Sequence, residues 1–165
     1  MTNKKEIIAG IVIIGNEILS GRTQDTNTGT ISIWLNSLGI RVQEVRIIPD
    51  IEKTIVNTIN EFRKKFSYVF TSGGIGPTHD DITASSISNA FGLKYGPHKE
   101  AFSILKKYYN EGEFSEGRQK MAWMPEGAKL ILNPSSGAPG FFVENVFCLP
   151  GVPSILKSML GGISN

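Results

Sequence analysis

Thr71-Ser-Gly-Gly-Ile-Gly-Pro-Thr-His-Asp-Asp-Ile-Thr83 decides the fold of this chain, because it joins a glycine-rich turn to adjacent carboxylates where a strand gives way to a helix. Before it, Ser67-Tyr68-Val69-Phe70 read as a short buried strand. After it, Ile82, Ile87, Ala90 and Phe91 recur at roughly helical spacing up to Gly92. In an open α/β sheet, ligands bind beyond the carboxyl ends of the strands, where helix N-termini offer N–H groups to anions. Gly73, Gly74 and Gly76 let backbone amides approach a phosphate closely, and Ser72, Pro77 and Thr78 complete the expected phosphate-binding turn.

The pattern of that stretch repeats on its N-terminal side. Ile7 to Ile14 reads as a first strand, followed by a long polar connection from Gly15 to Thr26. Ile31, Trp34, Leu35 and Leu38 then fall at i, i+3, i+4 and i+7, with Gly39 placed to end the helix. A second strand over Ile40 to Ile48 leads through Pro49-Asp50 into a helix striped by Ile51, Ile55, Ile59 and Phe62. Strands alternating with such helices predict crossover connections, hence a three-layer α/β/α sandwich with a mostly parallel sheet. Beyond Gly92 the expected elements are a helix over His98 to Asn110 and a short helix around Arg118 to Met124. Strands are expected at Lys129 to Leu132, Phe141 to Val143 and Val146 to Leu149, and a last helix from Pro153 to Leu160. Glu144-Asn145 reads as a two-residue hairpin turn.

Composition places the chain among ordinary globular domains. It has 165 residues, 40% hydrophobic and 19% charged, with a formal net charge of +2, which suits one domain over 1–165 and gives no reason to expect nucleic acid or an anionic membrane as partner. Ile7 to Ile14 is too short to span a bilayer and lacks a cleavage signal after it, so a cytoplasmic protein is expected. The single cysteine, Cys148, sits in an apolar strand and fits a reduced core thiol. There is no Gly-Lys-Ser/Thr phosphate loop, no dinucleotide fingerprint, no zinc cluster and no Gly-x-Ser-x-Gly elbow.

Candidate chemistry gathers at one sheet edge. Asp80 and Asp81 offer hard oxygen ligands beside the phosphate turn and suit Mg²⁺ or Mn²⁺, although adjacent aspartates also cap helices. Asp50 ends the second strand at the same edge, as a third acid or as the cap of the following helix. Gly15 and Glu17 leave the first strand there, and Asn27 follows them. Glu17 can orient a hydroxyl or a metal-bound water, and Asp25 or Asn27 can bond a sugar or ring nitrogen. The same segment also reads as a solvated loop whose Asp25 or Thr26 caps a helix. His79 is a loop histidine beside the acids, and Arg118 an exposed helix arginine that can reach phosphate. Asn133 to Phe141, with Ser135, Ser136 and Gly137, and Leu149 to Pro153, with Pro150 and Gly151, are turn-rich loops able to close over a flat ring or to serve as plain turns.

Ser72 to Thr83 and Gly15-Asn-Glu-Ile-Leu-Ser-Gly21 occur with Arg22 to Asn27, Pro49-Asp50, Arg118 with Met121-Ala122, Pro125 to Ala128, Gly137 to Phe141 and Leu149 to Pro153. In that order they resemble the MoaB/Mog-like molybdopterin-binding domain family, in the form found at the N-terminus of the competence/damage-inducible protein CinA. The resemblance covers nearly the whole chain. It implies the α/β/α sandwich, a crevice for molybdopterin or an adenine nucleotide, and a homo-oligomer, dimer or trimer. It also implies that the residues matching Asp50 and Asp81 are the important acids. Relatives that adenylylate molybdopterin commonly carry Arg where this chain has Asp80. The CinA-like form is associated with metal-dependent hydrolysis of ADP-ribose, using Mg²⁺, Mn²⁺ or Co²⁺. Asn16 stands where Thr or Asp is usual, and the C-terminal amidohydrolase domain of full-length CinA is absent from the chain, so nicotinamide mononucleotide deamidation is not expected. The expectations are therefore diphosphate hydrolysis first, adenylyl transfer second, and a non-catalytic ligand-binding or assembly module third.

Overall fold

The computed structural model describes residues 6–135 and 137–163. Strand β1 (Ile8–Ile14) leads through the one-turn helix α1 (Asn16–Leu19) to α2 (Asn27–Ser37), then β2 (Arg41–Ile48), α3 (Glu52–Lys65), β3 (Tyr68–Ser72) and α4 (Thr83–Phe91). The second half holds β4 (Tyr95–Pro97), α5 (Lys99–Tyr108), α6 (Glu116–Lys120), β5 (Trp123–Pro125), β6 (Lys129–Ile131), β7 (Gly140–Val143), β8 (Val146–Leu149) and α7 (Pro153–Leu160).

The main sheet has the order β2-β1-β3-β8-β7-β6. The first four strands run parallel, and β8, β7 and β6 alternate in direction. Because each pleat sends successive side chains to opposite faces, β1 feeds two cores at once. Ala9, Ile11 and Ile13 pack with Ile31 and Leu35 of α2 and Leu156 and Met159 of α7, while Val12 and Ile14 pack with Ile55, Ile59 and Phe62 of α3 and Ile87 of α4. These are the layers of an α/β/α sandwich. Ile55, Ile59 and Phe62 of the α3 stripe are buried as their spacing predicts, whereas Ile51 is the exposed N-cap ahead of the helix, and Gly92 ends α4 in the left-handed region at φ 66°. Gly10 stays glycine for packing, since a Cβ there would lie 2.5 Å from the Phe66 ring.

Two stretches differ from the sequence expectation. The helix expected up to Met124 stops at Lys120, because Trp123–Pro125 pairs antiparallel with Tyr95–Pro97, a strand the sequence did not suggest. Pro125 cannot donate within a helix, and the Trp123 and Tyr95 rings meet at 5.4 Å across the ribbon. The connection after β1 also contains helix α1 rather than irregular chain throughout. His98 caps α5 by accepting the Ala101 amide, and its other ring nitrogen lies 3.1 Å from the Ala128 carbonyl. At the exposed edge of β2, Arg46 is held between Glu61 and Glu44 at 2.7 Å each. Lys65 and Arg46 together keep the Glu44 carboxyl below its ordinary range.

Cys148 is fully buried in β8, and burial pushes its thiol up to about 12. The thiolate is the reactive species, so iodoacetamide at about pH 8 should leave the folded protein unlabelled and modify Cys148 only in denaturant, as mass spectrometry would show.

Candidate functional site

The chain passes from β1 to β2 on one side of the sheet, then to β3 on the other, so the connections leaving β1 and β3 diverge. Such a reversal opens a crevice at the carboxyl ends of neighbouring strands. Here the crevice is about 530 Å³ and is lined by Asn16, Glu17 and Arg22 after β1, Asp50 after β2, and Gly74, Thr78, Asp80 and Asp81 after β3.

Each wall is fixed by backbone contacts. Gly15 donates to the Ile48 carbonyl at 3.0 Å, and Asn16 and Asp50 exchange hydrogen bonds, each amide donating to the other's side-chain oxygen at 3.0 and 3.1 Å. This pairing ties the ends of β1 and β2 together. It also means that Asp50 does not cap α3, whose N-cap is Ile51 without a side-chain bond. On the opposite wall Gly73 has φ 104°, and a Cβ there would stand 2.1 Å from the Ile14 carbonyl oxygen. Thr83 completes the turn, with its hydroxyl donating to Gly73 O and its amide to Gly74 O, both at 2.9 Å. Gly73 and Gly74 are therefore required by the protein's own close packing before any phosphate is considered.

Neither aspartate of the loop caps α4, whose N-cap is Ile82. Asp81 turns back instead: its Oδ2 accepts from the amide and the hydroxyl of Thr78, both at 2.9 Å. Its Oδ1 accepts nothing from the described residues. Asp80 is exposed, with the His79 ring 3.5 Å from its carboxylate. Asp50 is half-buried. Burial, followed by the charges of Glu17, Asp81 and Asp80, pushes its carboxyl up, against the lowering effect of the Asn16 amide. Among the described residues no three His, Cys, Asp or Glu side chains stand where they can hold a metal ion by themselves.

A narrower cleft of about 40 Å³ lies beyond Glu17, which lines both spaces, and is walled by Asn27, Ser72, Gly73 and Gly151. The Asn27 amide donates to Ser72 Oγ at 2.8 Å and to the Gly151 carbonyl at 2.9 Å, and Ser72 donates to the Pro150 carbonyl at 3.2 Å. Asn27 Oδ1 is buried and accepts no hydrogen bond among the described residues. Asp25 binds the Thr28 amide at 3.2 Å and so does stabilise the first turn of α2.

The structure thus brings Glu17, Asp50, Gly74, Thr78, Asp80 and Asp81 to one crevice and Asn27, Ser72, Gly73 and Gly151 to its neighbour. Gly76 lies behind the loop against Asp81, with Pro77 packed on α6. Gly137 is elsewhere: it packs on the ring of Tyr108, with no room for a Cβ. Ser135 bonds Ser158 of α7, and Ser136 lies outside the described residues. Arg118 binds the Glu113 carbonyl at 2.6 Å and stacks on Tyr109, which fastens its own segment, and it does not line the crevice. Sequence reasoning passed over Arg22 as a separate residue and over Lys120, whose Nζ reaches the carbonyls of Thr78 and Asp81 at 2.5 and 2.7 Å.

The family model described as a probable molybdopterin binding domain matches residues 10–164. Protein PH0439 of Pyrococcus horikoshii is 34% identical over 168 residues, covering 93% of this chain and 66% of its own length. A protein of Caldivirga maquilingensis is 37% identical over 158 residues, covering 92% of this chain and 62% of its own. The chain therefore spans less than two thirds of these curated relatives. Among solved structures, CinA of Thermoplasma acidophilum, itself described as of unknown function, superposes with TM-score 0.89 at 31% identity over 96% of both chains. The tungsten cofactor synthesizing protein MoaB of Pyrococcus furiosus superposes with TM-score 0.60 at 24% identity over 96% of this chain and 90% of its own, a likeness of fold.

Two outcomes follow from this geometry. Gly73→Ala combines a strained φ with a backbone clash and should cost about 3 kcal/mol or more in urea unfolding. The second concerns Asp50, whose proton is held more tightly in the folded than in the unfolded chain. Its stabilising contribution is present below the ordinary carboxylate range and is lost as pH rises through its folded titration. Asp50→Asn should therefore raise Tm by about 2 °C near pH 7, with the gain shrinking towards about pH 4, as calorimetry across pH would show.

Proposed function

The chain belongs to the family of probable molybdopterin-binding domains, in its CinA-like branch, and from that premise we propose that its crevice binds a nucleotide diphosphate such as ADP-ribose and hydrolyses it with a divalent cation. The observation that carries the proposal is the meeting of Asp50, Asp80, Asp81 and Glu17 at the β1/β3 reversal, close enough that the charges of the other three raise the Asp50 carboxyl. Carboxylates crowded in this way favour a cation or a shared proton between them.

Mg²⁺, Mn²⁺ or Co²⁺ would be held by the hard carboxylate oxygens of Asp80 and Asp81. Oδ1 of Asp81 accepts no hydrogen bond among the described residues and the exposed Asp80 carboxylate meets only the His79 ring nitrogen at 3.5 Å, so both oxygens are open to an ion whose remaining ligands would be phosphate and water. Such an ion supplies charge neutralisation for the diphosphate. The chain's own residues do the rest. The backbone around Gly74 lines the space where the phosphates would lie, Thr78 holds the turn through Asp81, and Arg22 offers a guanidinium to a second anionic group. Asp50, with its raised affinity for a proton, orients the attacking water and accepts its proton. Water adds to one phosphorus as the P–O–P bridge breaks, so ADP-ribose and water give AMP and ribose 5-phosphate. In the neighbouring cleft, Asn27 stands with Ser72 and Gly151 beside a space into which part of the ligand's head group would extend.

The test is incubation of the chain with ADP-ribose and Mg²⁺ or Co²⁺, followed by chromatography for AMP. Turnover is expected, with Asp80→Asn and Asp81→Asn each reducing it by about 100-fold. Absence of AMP with every divalent ion, together with transfer of AMP from ATP onto molybdopterin, would replace hydrolysis by adenylylation. Saturable binding without either product would leave a binding module.

A further inference from the structure

We propose that Lys120 is a positioning residue for the acid pair, fixing the turn from Thr78 to Asp81 from behind and thereby setting how tightly the crevice holds a divalent cation. The inference rests on the proposed function above for the identity of the cation site. Its own basis is a contact that neither the family resemblance nor the crevice lining points to.

Asp80 forms no side-chain hydrogen bond with the described residues, and its carboxylate touches only the exposed His79 ring. The place of that carboxylate is therefore inherited from the backbone of the turn. The turn is closed on itself by the Asp81 amide donating to Thr78 O at 3.1 Å and by Thr78 donating twice to Asp81 Oδ2. Short turns closed locally are the parts of a structure that open most readily. Lys120 spans both ends of this one, donating to the Thr78 carbonyl at 2.5 Å and to the Asp81 carbonyl at 2.7 Å. An ammonium has its donors spread around a point, and binding both carbonyls at once fixes the separation of the residues that flank Asp80.

The platform that carries Lys120 is itself secured. Helix α6 is too short to persist alone, and local bonds hold it: Ser115 accepts the Arg118 amide, Gln119 donates to Phe114 O at 3.0 Å, and Arg118 is fastened as described. It also presses directly on the loop, since a Cβ on Gly117 would lie 2.8 Å from the Pro77 carbonyl oxygen. Lys120 thus connects a braced segment to an otherwise self-supporting turn, in the way that outer partners orient metal ligands.

The experiment titrates Mn²⁺ into the whole chain in the presence of ADP, following free Mn²⁺ by electron paramagnetic resonance, for wild type, Lys120→Met and Lys120→Gln. All titrations are run well below the lowest measured Tm. Loss of both hydrogen bonds in Lys120→Met should raise the Mn²⁺ dissociation constant by about tenfold, and Lys120→Gln, which keeps one donor group, should raise it less. Amide exchange of residues 78–82 should quicken in the same order, while exchange in β1 and β3 stays as in wild type. Equal Mn²⁺ affinity in wild type and Lys120→Met, or in wild type and Lys120→Gln if the methionine variant does not fold, overturns this proposal and leaves the cation reading standing. No Mn²⁺ binding by wild type removes the cation reading and this proposal with it.

Discussion

The carboxyl edge of this sheet depends on one close approach, that of Gly73 to the carbonyl of Ile14. Strands β1 and β3 are hydrogen-bonded neighbours whose chains leave in opposite directions, and the last residue of one must pass the first loop residue of the other. Only a residue without a Cβ and with φ near 104° makes that passage. Thr83 then fastens the turn to the start of α4, and the loop carrying Asp80 and Asp81 hangs from that point. Crevice, acid pair and glycine turn are thus consequences of how two parallel strands part company.

The electrostatics of the edge run against the fold. Asp50 is held by the Asn16 amide, yet burial and three neighbouring carboxylates raise its affinity for a proton. A chain selected for stability alone would not keep this arrangement, and concentrated like charge of this kind is typical of sites that take up cations or protons. The buried oxygen of Asn27, which accepts no hydrogen bond among the described residues, belongs to the same edge and carries a cost of the same kind.

Most of the framework was legible in the sequence because it is written in long periodic stretches. The stripe of Ile55, Ile59 and Phe62, the apolar run into Ile14 and the Gly39 and Gly92 terminators each point to one structure, and that structure forms. The ribbon of β4 and β5 was not legible. Tyr95–Pro97 and Trp123–Pro125 are too short to show alternation, and their pairing depends on a contact between residues far apart in sequence. The site was legible to the same extent. Glycines and aspartates announced the loop, but Gly137 matched a turn motif and proved to serve packing on Tyr108. Lys120 had no local signature, because its role is defined by carbonyls some forty residues earlier, at Thr78 and Asp81.

The charged ladder along β2 has a consequence for how copies of this molecule can meet. β2 is an outer strand with Val45 and Ile47 showing at its surface, the kind of border that invites a second sheet to continue the first. Arg46, clasped between Glu44 and Glu61, and Lys65 on Glu44 place a row of satisfied ions beside it. A strand arriving there would have to strip those ions of partners and water, so continuation of the sheet past β2 carries a desolvation cost that the apolar Val45 and Ile47 alone would not show.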